Sequence, residues 1–173
     1  RVAWWVGAIG NSQRPQQPPE VAPGLFLGGL TEARDVAHLE SRGIDCVLNL
    51  APDMCGSSSS RSFPARFEVL DIDARDAGDY DLFREDMPRA LDFVERCLSD
   101  GRRVLVHCFQ GMNRSAVVCV AWQLQRQRLQ LGQAVRSTAC SRGIVLQNEG
   151  FLEGLAAMAR ERDLLSDVCE VAV

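Results

Sequence analysis

The sequence predicts an α/β fold with a central, mostly parallel sheet of about five strands flanked by helices. Short apolar runs typical of strands alternate with longer segments of helical periodicity along the first part of the chain. The run RVLVHC (103–108) is an apolar strand of the kind that is buried on both faces of a parallel sheet. Helical segments then gather towards the C-terminus, where they can cover a sheet formed earlier in the chain.

The N-terminal part of the chain differs in composition from the rest. Residues 11–23 are rich in proline and glutamine, which predicts an extended linker. The globular domain is therefore expected to span 21–166, between an N-terminal extension (1–20) and a C-terminal tail (167–173). The opening stretch RVAWWVGAIG is apolar but too short to span a bilayer, so no membrane association is expected.

The elements of the globular part are predicted from apolar periodicity and from the residues at their ends. The first helix is expected to be capped by Thr31 and ended by Gly43. Pro88 is tolerated only near the first turn of its helix. The predicted strands are 24–29, 44–50, 66–72 and 103–108, with a serine-rich loop at 52–64 and a polar loop at 73–81. The predicted helices are 31–43, 82–101, 115–128, 131–143 and 148–165.

Composition excludes several functional classes. The 173 residues are 46% hydrophobic and carry a formal net charge of −4, so a nucleic-acid partner is not expected. All 19 cationic residues are arginine, which removes lysine from any catalytic role. The seven cysteines form no Cys-x-x-Cys pair and there are two histidines, so neither a metal nor another cofactor is expected. Most of the cysteines are interpreted as small, reduced core residues. Free thiols are typical of a reducing compartment, which predicts a cytoplasmic or nuclear location.

The stretch HCFQGMNRS (107–115) joins the strand 103–108 to the start of a helix. Ligands of open α/β sheets bind at the carboxyl ends of the strands, and a helix N-terminus offers backbone N–H groups to an anion such as phosphate. Gly111 permits a tight turn, and Arg114 supplies a planar fork of donors for two phosphate oxygens.

Cys108 is predicted to lie at the floor of this loop. The same N–H groups would stabilise its thiolate, which would then face the phosphorus of a bound phosphate ester. Ser115 can donate a hydrogen bond to the sulfur and help it to leave. His107 is expected to fix the backbone of Cys108 by hydrogen bonding and not to act as a base. A buried cysteine before an ordinary strand–helix turn explains Cys108 alone, but not the whole pattern.

HCFQGMNRS resembles the HC-x₅-R-S signature of cysteine-based protein tyrosine phosphatases, and more narrowly that of the dual-specificity group. VAPGLFLGGLTEA, GIDCVLNLAP and NEGFLEGL are similar to other segments of that family, so the resemblance covers nearly all of 21–160. It implies the cysteine-phosphatase fold, with Cys108 as the nucleophile, Arg114 as the phosphate binder and Ser115 as the partner of the thiol. The implied phosphate-binding loop comprises Phe109, Gln110, Gly111, Met112, Asn113 and Arg114.

Expulsion of the leaving group requires a general acid, usually a carboxylic acid on a mobile loop. The resemblance selects Asp76 for this role, with Asp73 and Asp79 as the alternatives. Asp81 precedes a helical segment and is expected to cap it. The candidates in the polar loop are Asp71, Asp73, Asp76, Asp79 and Asp81.

Three residues near the last helix add to the resemblance or depart from it. Asn148 matches a family position that braces the phosphate loop, with helix capping as the alternative role. Arg142 occupies a position that is often basic in the family, with a plain surface charge as the alternative. Gln147 stands where the family usually has proline, so the local turn is expected to differ. A reversible disulfide between oxidised Cys108 and Cys46 or Cys55 is a weaker hypothesis than ordinary core and loop cysteines.

The resemblance implies a small, atypical dual-specificity phosphatase whose partner is a phosphoprotein substrate with phosphotyrosine or phosphoserine/threonine. The interior of the loop is uncharged, which disfavours inositol lipids. The element GMNR (111–114) is shared with relatives that remove RNA 5′ phosphates, which keeps that activity as an alternative. A phosphate-binding scaffold with vestigial activity ranks last, because the candidate catalytic residues are all present. The pattern assigns no oligomeric state.

Overall fold

Five strands form a sheet in the order β1-β2-β5-β3-β4 in the computed structural model, which describes residues 17–55, 63–77 and 80–165. β1 is antiparallel to β2, and the other neighbouring strands are parallel. The predicted α/β class with a mostly parallel sheet of five strands is thereby confirmed. The strands are β1 Glu20–Ala22, β2 Leu25–Gly28, β3 Ile44–Asn49, β4 Glu68–Asp71 and β5 Arg103–His107.

The parallel register brings the last residues of the strands to one edge of the sheet. His107 at the end of β5 pairs with Gly28 of β2 on one side and with Asn49 of β3 on the other. Asn49 in turn pairs with Asp71, the last residue of β4. The loops that follow β2, β3, β4 and β5 therefore start side by side, which is the edge where ligands of such sheets bind.

Helices cover both faces of the sheet. Alternate residues of β5 point to opposite faces, with Val104 and Val106 in the larger core and Leu105 in the smaller one. The larger core lies under α5 to α8, and the smaller core also contains Leu39 of α2. The helices are α1 Leu30–Arg34, α2 Val36–Ser41, α3 Pro52–Cys55, α4 Leu82–Glu85, α5 Met87–Ser99, α6 Arg114–Trp122, α7 Leu131–Arg142 and α8 Glu149–Glu161. A π-helical turn, Gln123–Gln127, continues α6.

The predicted helix 31–43 is in fact two helices, and Thr31 does not cap it. α1 follows Gly29, whose backbone N–H donates to the buried Glu32 carboxylate at 2.9 Å. Asp35 separates α1 from α2, because its backbone angles of φ −85° and ψ 70° are not helical. Its side chain caps α2 by accepting a hydrogen bond from the His38 N–H. Helical periodicity continued through this break, so the sequence pattern did not reveal it.

Other boundaries also differ from the predictions. The last residues of the predicted linker form β1, since Pro19 O and residues 20–22 pair with β2. The predicted helix 82–101 is divided into α4 and α5, and α5 begins at Met87, so Pro88 lies in its first turn as predicted. Asp81 caps α4 by accepting a hydrogen bond from the Arg84 N–H. A short helix, α3, lies within the predicted loop 52–64.

Some predictions concern residues outside the described ranges. These include the apolar opening stretch 1–10, the serine run 57–60, Asp79 and the tail 167–173. Within residues 17–55, 63–77 and 80–165, no helix combines the length and apolar character needed to cross a bilayer.

Candidate active site

Residues 108–114 form a tight loop between β5 and α6. Cys108 directly follows the last residue of β5, and Arg114 is the first residue of α6. Gly111 has φ +70°, and a Cβ atom there would lie 2.6 Å from both the Arg142 guanidinium and the Gly28 carbonyl oxygen. Position 111 therefore favours glycine for two reasons: the backbone has a positive φ, and there is no space for a Cβ atom.

The backbone carbonyls of four successive loop residues point outwards and accept hydrogen bonds from the scaffold. Because the peptide group is planar and trans, the N–H groups of residues 110–113 are turned to the opposite side, which is the inside of the loop. The Gly111 N–H shows this direction by donating to Cys108 Sγ at 3.2 Å. The donors to the carbonyls are Leu30 N to Phe109 O (3.0 Å), Arg142 Nη2 to Gln110 O (3.2 Å), Arg142 Nε to Gly111 O (3.3 Å) and Leu146 N to Met112 O (2.9 Å).

Cys108 lies at the floor of the loop with only 2% of its surface exposed. Its Sγ is 3.3 Å from the hydroxyl of the buried Ser115, which also lies 3.4 Å from the Gly28 carbonyl oxygen. A hydroxyl has one proton and can rotate. Ser115 can thus donate to Gly28 while Cys108 is a thiol and turn to the sulfur when it is a thiolate.

The Arg114 side chain is anchored under two neighbouring loops. Its Nη1 donates to the carbonyl oxygens of Leu50 at 3.3 Å and Ala74 at 3.0 Å, which follow β3 and β4 respectively. Only 7% of the residue is exposed, yet it lines a cleft of about 520 Å³ together with Cys108. Such anchoring limits the rotation of the guanidinium and so fixes the direction from which it can meet an anion in the cleft.

His107 is fully buried and supports the backbone of the loop. Its Nδ1 lies 3.4 Å from the Cys108 carbonyl oxygen, and because a carbonyl only accepts, Nδ1 must carry the proton. Within the described part of the chain, Nε2 has no hydrogen-bond partner. Burial therefore penalises the charged ring and lowers the pKa of His107 from 6.5 to about 4. A neutral, buried ring agrees with the predicted positioning role.

This lowered pKa makes stability dependent on pH. Between pH 6.5 and 4 the unfolded chain binds a proton at His107 that the folded chain does not, so acidification favours unfolding. We expect the free energy of unfolding to fall by about 3 kcal/mol from this group over that interval. Urea unfolding at a series of pH values would show a shallower acid decline for His107→Gln than for the native chain. Equal declines in the two proteins would contradict the assignment.

Asp76 lies at the rim of the cleft, on the loop after β4. Its carboxylate accepts hydrogen bonds from Asn113 Nδ2 at 3.1 Å and from Asn148 Nδ2 at 2.9 Å. Asn148 also caps α8, since its Oδ1 accepts from the Phe151 N–H at 3.3 Å. Asn148 thus contacts the loop after β4 and the start of α8, and it is linked to Asn113 through Asp76. Helix capping, the alternative role given for Asn148, is observed, while bracing of the loop 108–114 stays a prediction.

The other candidate carboxylates have different surroundings. Asp71 accepts a hydrogen bond from the Asn49 side chain at 2.9 Å and so ties the ends of β3 and β4 together. Asp81 caps α4. Asp73 is exposed and lines the cleft beside Asp76. Asp76 is therefore distinguished from these by its hydrogen bond to a residue of the loop 108–114.

Arg142 is a buried support of the loop and not a surface charge. Only 2% of its side chain is exposed, and it forms a buried ion pair with Glu32 besides its bonds to the loop carbonyls. Burial opposes the charge on Glu32, but the guanidinium outweighs this effect and lowers the pKa of the carboxyl. Glu32 was not among the residues predicted for the site, because in the sequence it looks like an ordinary helix residue. The feature of the sequence that could have indicated its role is its position three residues after Gly29, which is the spacing of an N-terminal capping contact.

Removal of one member of this buried pair is expected to be costly. Arg142→Met leaves the Glu32 carboxylate buried without its partner, which should lower the free energy of unfolding by about 3–5 kcal/mol. The double variant Glu32→Leu/Arg142→Met should recover only the part of that loss that comes from the unpaired Glu32 charge, because the Gly29 N–H and the Gln110 and Gly111 carbonyls still lack these side-chain partners. Urea unfolding of the single and double variants measures both values. A loss below about 1 kcal/mol in the single variant would show that the pair contributes as little as an exposed one.

One cluster in the described ranges has the composition of a metal site. The Sγ atoms of Cys46 and Cys97 and a carboxylate oxygen of Glu68 all lie within 4.8 Å of one another. The Glu68 carboxylate already forms hydrogen bonds with the guanidinium groups of Arg96 and Arg102. These hydrogen bonds lower the pKa of Glu68. Burial raises the pKa of both thiols. Burial that disfavours the thiolates and two cations beside the carboxylate both oppose metal binding at this cluster.

The hypothesis of a disulfide between Cys46 and Cys108 does not fit the register of the sheet. Cys46 pairs with Val104, four residues before Cys108 on the adjacent strand. At about 3.3 Å per residue the two cysteines are separated by about 13 Å, whereas a disulfide requires Cα atoms within about 7 Å. The side chain of Cys55 lies outside the described part of the structure.

The sequence is similar to those of known dual specificity phosphatases. The family model described as dual specificity phosphatase, catalytic domain, matches residues 25–161. Dual specificity protein phosphatase 26 of Bos taurus is 36% identical over 147 residues, which cover 82% of this chain and 66% of that protein. Human dual specificity protein phosphatase 2 is 32% identical over 138 residues, which cover 78% of this chain and 41% of that protein. The chain thus spans less than two thirds of the length of either relative.

Solved structures show the same fold. The crystal structure of human DUSP28 matches with a TM-score of 0.72 and 25% identity, covering 88% of this chain and 99% of that one. The crystal structure of DUSP15 matches with a TM-score of 0.74 and 22% identity, covering 86% and 94% respectively. The fold is therefore that of the cysteine-based phosphatases. The family model matches most of the chain, and the chain belongs to the family of dual specificity phosphatase catalytic domains.

Proposed function

We propose that this protein hydrolyses phosphotyrosine and phosphoserine/threonine in proteins through a phosphocysteine intermediate. The observation that carries the proposal is the position of Cys108 Sγ. It lies under a loop whose N–H groups turn inwards, with the Gly111 N–H at 3.2 Å and the Ser115 hydroxyl at 3.3 Å. Such a set of donors stabilises a thiolate and binds the phosphate dianion above it.

In the first step the Cys108 thiolate attacks phosphorus, so that a P–S bond forms while the P–O bond to the substrate breaks. The Arg114 guanidinium and the loop N–H groups bind the oxygens of the transferring phosphoryl group. Asp76 gives its proton to the departing alkoxide or phenolate, which leaves as a neutral alcohol. The position of Asp76 at the rim of the cleft, tied to the loop through Asn113, supports this role.

In the second step a water molecule attacks the phosphocysteine. The Asp76 carboxylate accepts a proton from this water, the P–S bond breaks, and inorganic phosphate is released. The electron pair of the broken bond returns to sulfur, where the Ser115 hydroxyl donates to the thiolate. Protons balance over the cycle, because Asp76 regains from water the proton that it gave to the leaving group.

The lining of the cleft supports a protein substrate over a nucleic acid. Its charged residues are of both signs, with Asp73 and Asp76 opposite in charge to Arg75 and Arg114, so it is not a strongly basic surface. Phe109 is 40% exposed at the same cleft and offers an apolar contact to a substrate side chain. Since the nucleophile must stay reduced, we infer that the protein works in a reducing compartment such as the cytoplasm.

Asp76→Asn tests the acid. We expect kcat for phenyl phosphate, a substrate with a weakly acidic leaving group, to fall by about 10²-fold or more. Steady-state rates measure the loss. Asp73→Asn is the matched comparison on the same loop, and the assignment is wrong if that variant shows the loss instead.

A further inference from the structure

Two asparagine side chains from different parts of the fold meet at the carboxylate of Asp76. Asn113, in the loop 108–114, places Nδ2 at 3.1 Å from Oδ2 and 3.3 Å from Oδ1. Asn148, at the start of α8, places Nδ2 at 2.9 Å from Oδ1. Asp76 itself lies on the loop after β4. Three separate segments of the chain therefore converge on one carboxylate at the rim of the cleft.

The orientation of each amide is determined by a second hydrogen bond. Asn113 Oδ1 accepts from the Gln147 N–H at 2.8 Å, and Asn148 Oδ1 accepts from the Phe151 N–H at 3.3 Å. A backbone N–H can only donate, so in both cases the amide oxygen must face it. The NH₂ group of each asparagine then faces Asp76, and two donors rather than two acceptors meet the carboxylate.

The backbone N–H of Gln147 determines the orientation of the Asn113 amide. Proline has no backbone N–H and could not hold the amide oxygen of Asn113. The departure from proline noted in the sequence therefore has a structural consequence. Gln147 supplies the donor that orients Asn113, and Asn113 in turn faces the carboxylate.

We propose that Asn113 is a positioning residue that holds Asp76 over the phosphate-binding loop, with Asn148 as the second holder. The inference rests on the proposed role of Asp76 as the general acid. Asp76 lies on an exposed segment, where a carboxyl group without fixed partners would sample many positions. Holding it near the leaving-group oxygen raises the fraction of bound substrates for which proton transfer is possible.

The consequence is selective among substrates. A strongly acidic phenol leaves without needing a proton, whereas a weakly acidic phenol or an alcohol depends on the general acid. Loss of the positioning residue should therefore slow the first step more for substrates with poor leaving groups than for those with good ones. A residue that merely maintains the shape of the loop would slow all substrates alike, because every substrate presents the same phosphoryl group to the loop.

Two variants of Asn113 separate these cases. Asn113→Ala removes both hydrogen bonds of the side chain. Asn113→Leu keeps the approximate size of the side chain but has neither the amide oxygen for the Gln147 N–H nor the NH₂ group that faces Asp76, and it adds no charge to the loop. We expect kcat/KM for phenyl phosphate, which reports the step that forms the phosphocysteine, to fall by about tenfold in both variants. For an aryl phosphate with a strongly acidic phenol, kcat/KM should fall by a clearly smaller factor, so that the rate depends more steeply on the acidity of the phenol.

The measurement is kcat/KM for a series of aryl phosphates graded by the acidity of the phenol, for both Asn113 variants, Asp76→Asn and the double variant Asn113→Ala/Asp76→Asn. We expect the double variant to match Asp76→Asn, because Asn113 acts through that carboxyl. If Asp76→Asn has the native dependence on leaving group, the acid assignment is wrong and this inference fails with it. If Asp76→Asn steepens the dependence but the Asn113 variants do not, or if the two losses add fully, only the positioning role is overturned.

Discussion

Cys108→Ser is expected to abolish the hydrolysis of aryl phosphates, with kcat falling by at least about 10⁴-fold. A serine hydroxyl is not ionised near neutral pH, and the loop N–H groups that stabilise a thiolate cannot activate it without an adjacent base. The structure provides no such base in the described ranges within hydrogen-bonding reach of Sγ, where the contacts are the Gly111 N–H and the Ser115 hydroxyl. Steady-state rates with p-nitrophenyl phosphate measure the loss.

The exposed Cys140 of α7 provides the matched control. Cys140→Ser makes the same chemical change away from the cleft and should keep the native rate. Acid quenching of the native enzyme during turnover should trap phosphate on Cys108 as a phosphocysteine that mass spectrometry can locate. Substantial activity in Cys108→Ser, or phosphate trapped on another residue, would rule out the proposed nucleophile.

The second large effect is expected for Arg114→Lys, which should lower kcat/KM for p-nitrophenyl phosphate by about 10²–10³-fold. Lysine keeps the positive charge but presents a point charge in place of a planar fork. In the native chain Nη1 is held by the carbonyls of Leu50 and Ala74, which fixes the plane of the guanidinium. An ammonium group cannot make these two bonds and also offer two parallel donors to a phosphoryl group.

Arg89, exposed on α5, offers the same substitution away from the site. Arg89→Lys should leave kcat/KM unchanged, so that any general effect of replacing arginine by lysine is measured separately. If Arg114→Lys retained more than about one tenth of the native kcat/KM, bidentate recognition by the guanidinium would not be the reason for arginine at this position.

Much of the site could be predicted because it is local in sequence. HCFQGMNRS is one continuous stretch between a strand and a helix, so the positions of Cys108, Gly111, Arg114 and Ser115 relative to one another follow from a single turn. The α/β class was equally accessible, because it depends on the alternation of apolar runs. Asp76 was reached through the resemblance to the dual-specificity group, since five aspartates in one polar loop are alike in local pattern.

The element boundaries that were predicted wrongly depend on tertiary contacts or backbone angles that the local sequence pattern does not show. Helical periodicity runs through Asp35, and the break there depends on backbone angles that local pattern does not specify. β1 looked like part of a linker because three residues cannot show a strand period, and only pairing with β2 makes them a strand. Short elements of this kind form because a neighbour is already in place.

By itself, the sequence determined the α/β class, the strand–loop–helix unit and the place of the cysteine and arginine that are proposed to attack and bind phosphate. The tertiary structure alone decided that Arg142 and Glu32 form a buried pair under the loop, and that Asn113 and Asn148 face Asp76. The physical reason is the distance along the chain. Hydrogen bonds between residues that are 37, 72 or 110 positions apart depend on the register of the sheet and the docking of helices, which no local pattern encodes.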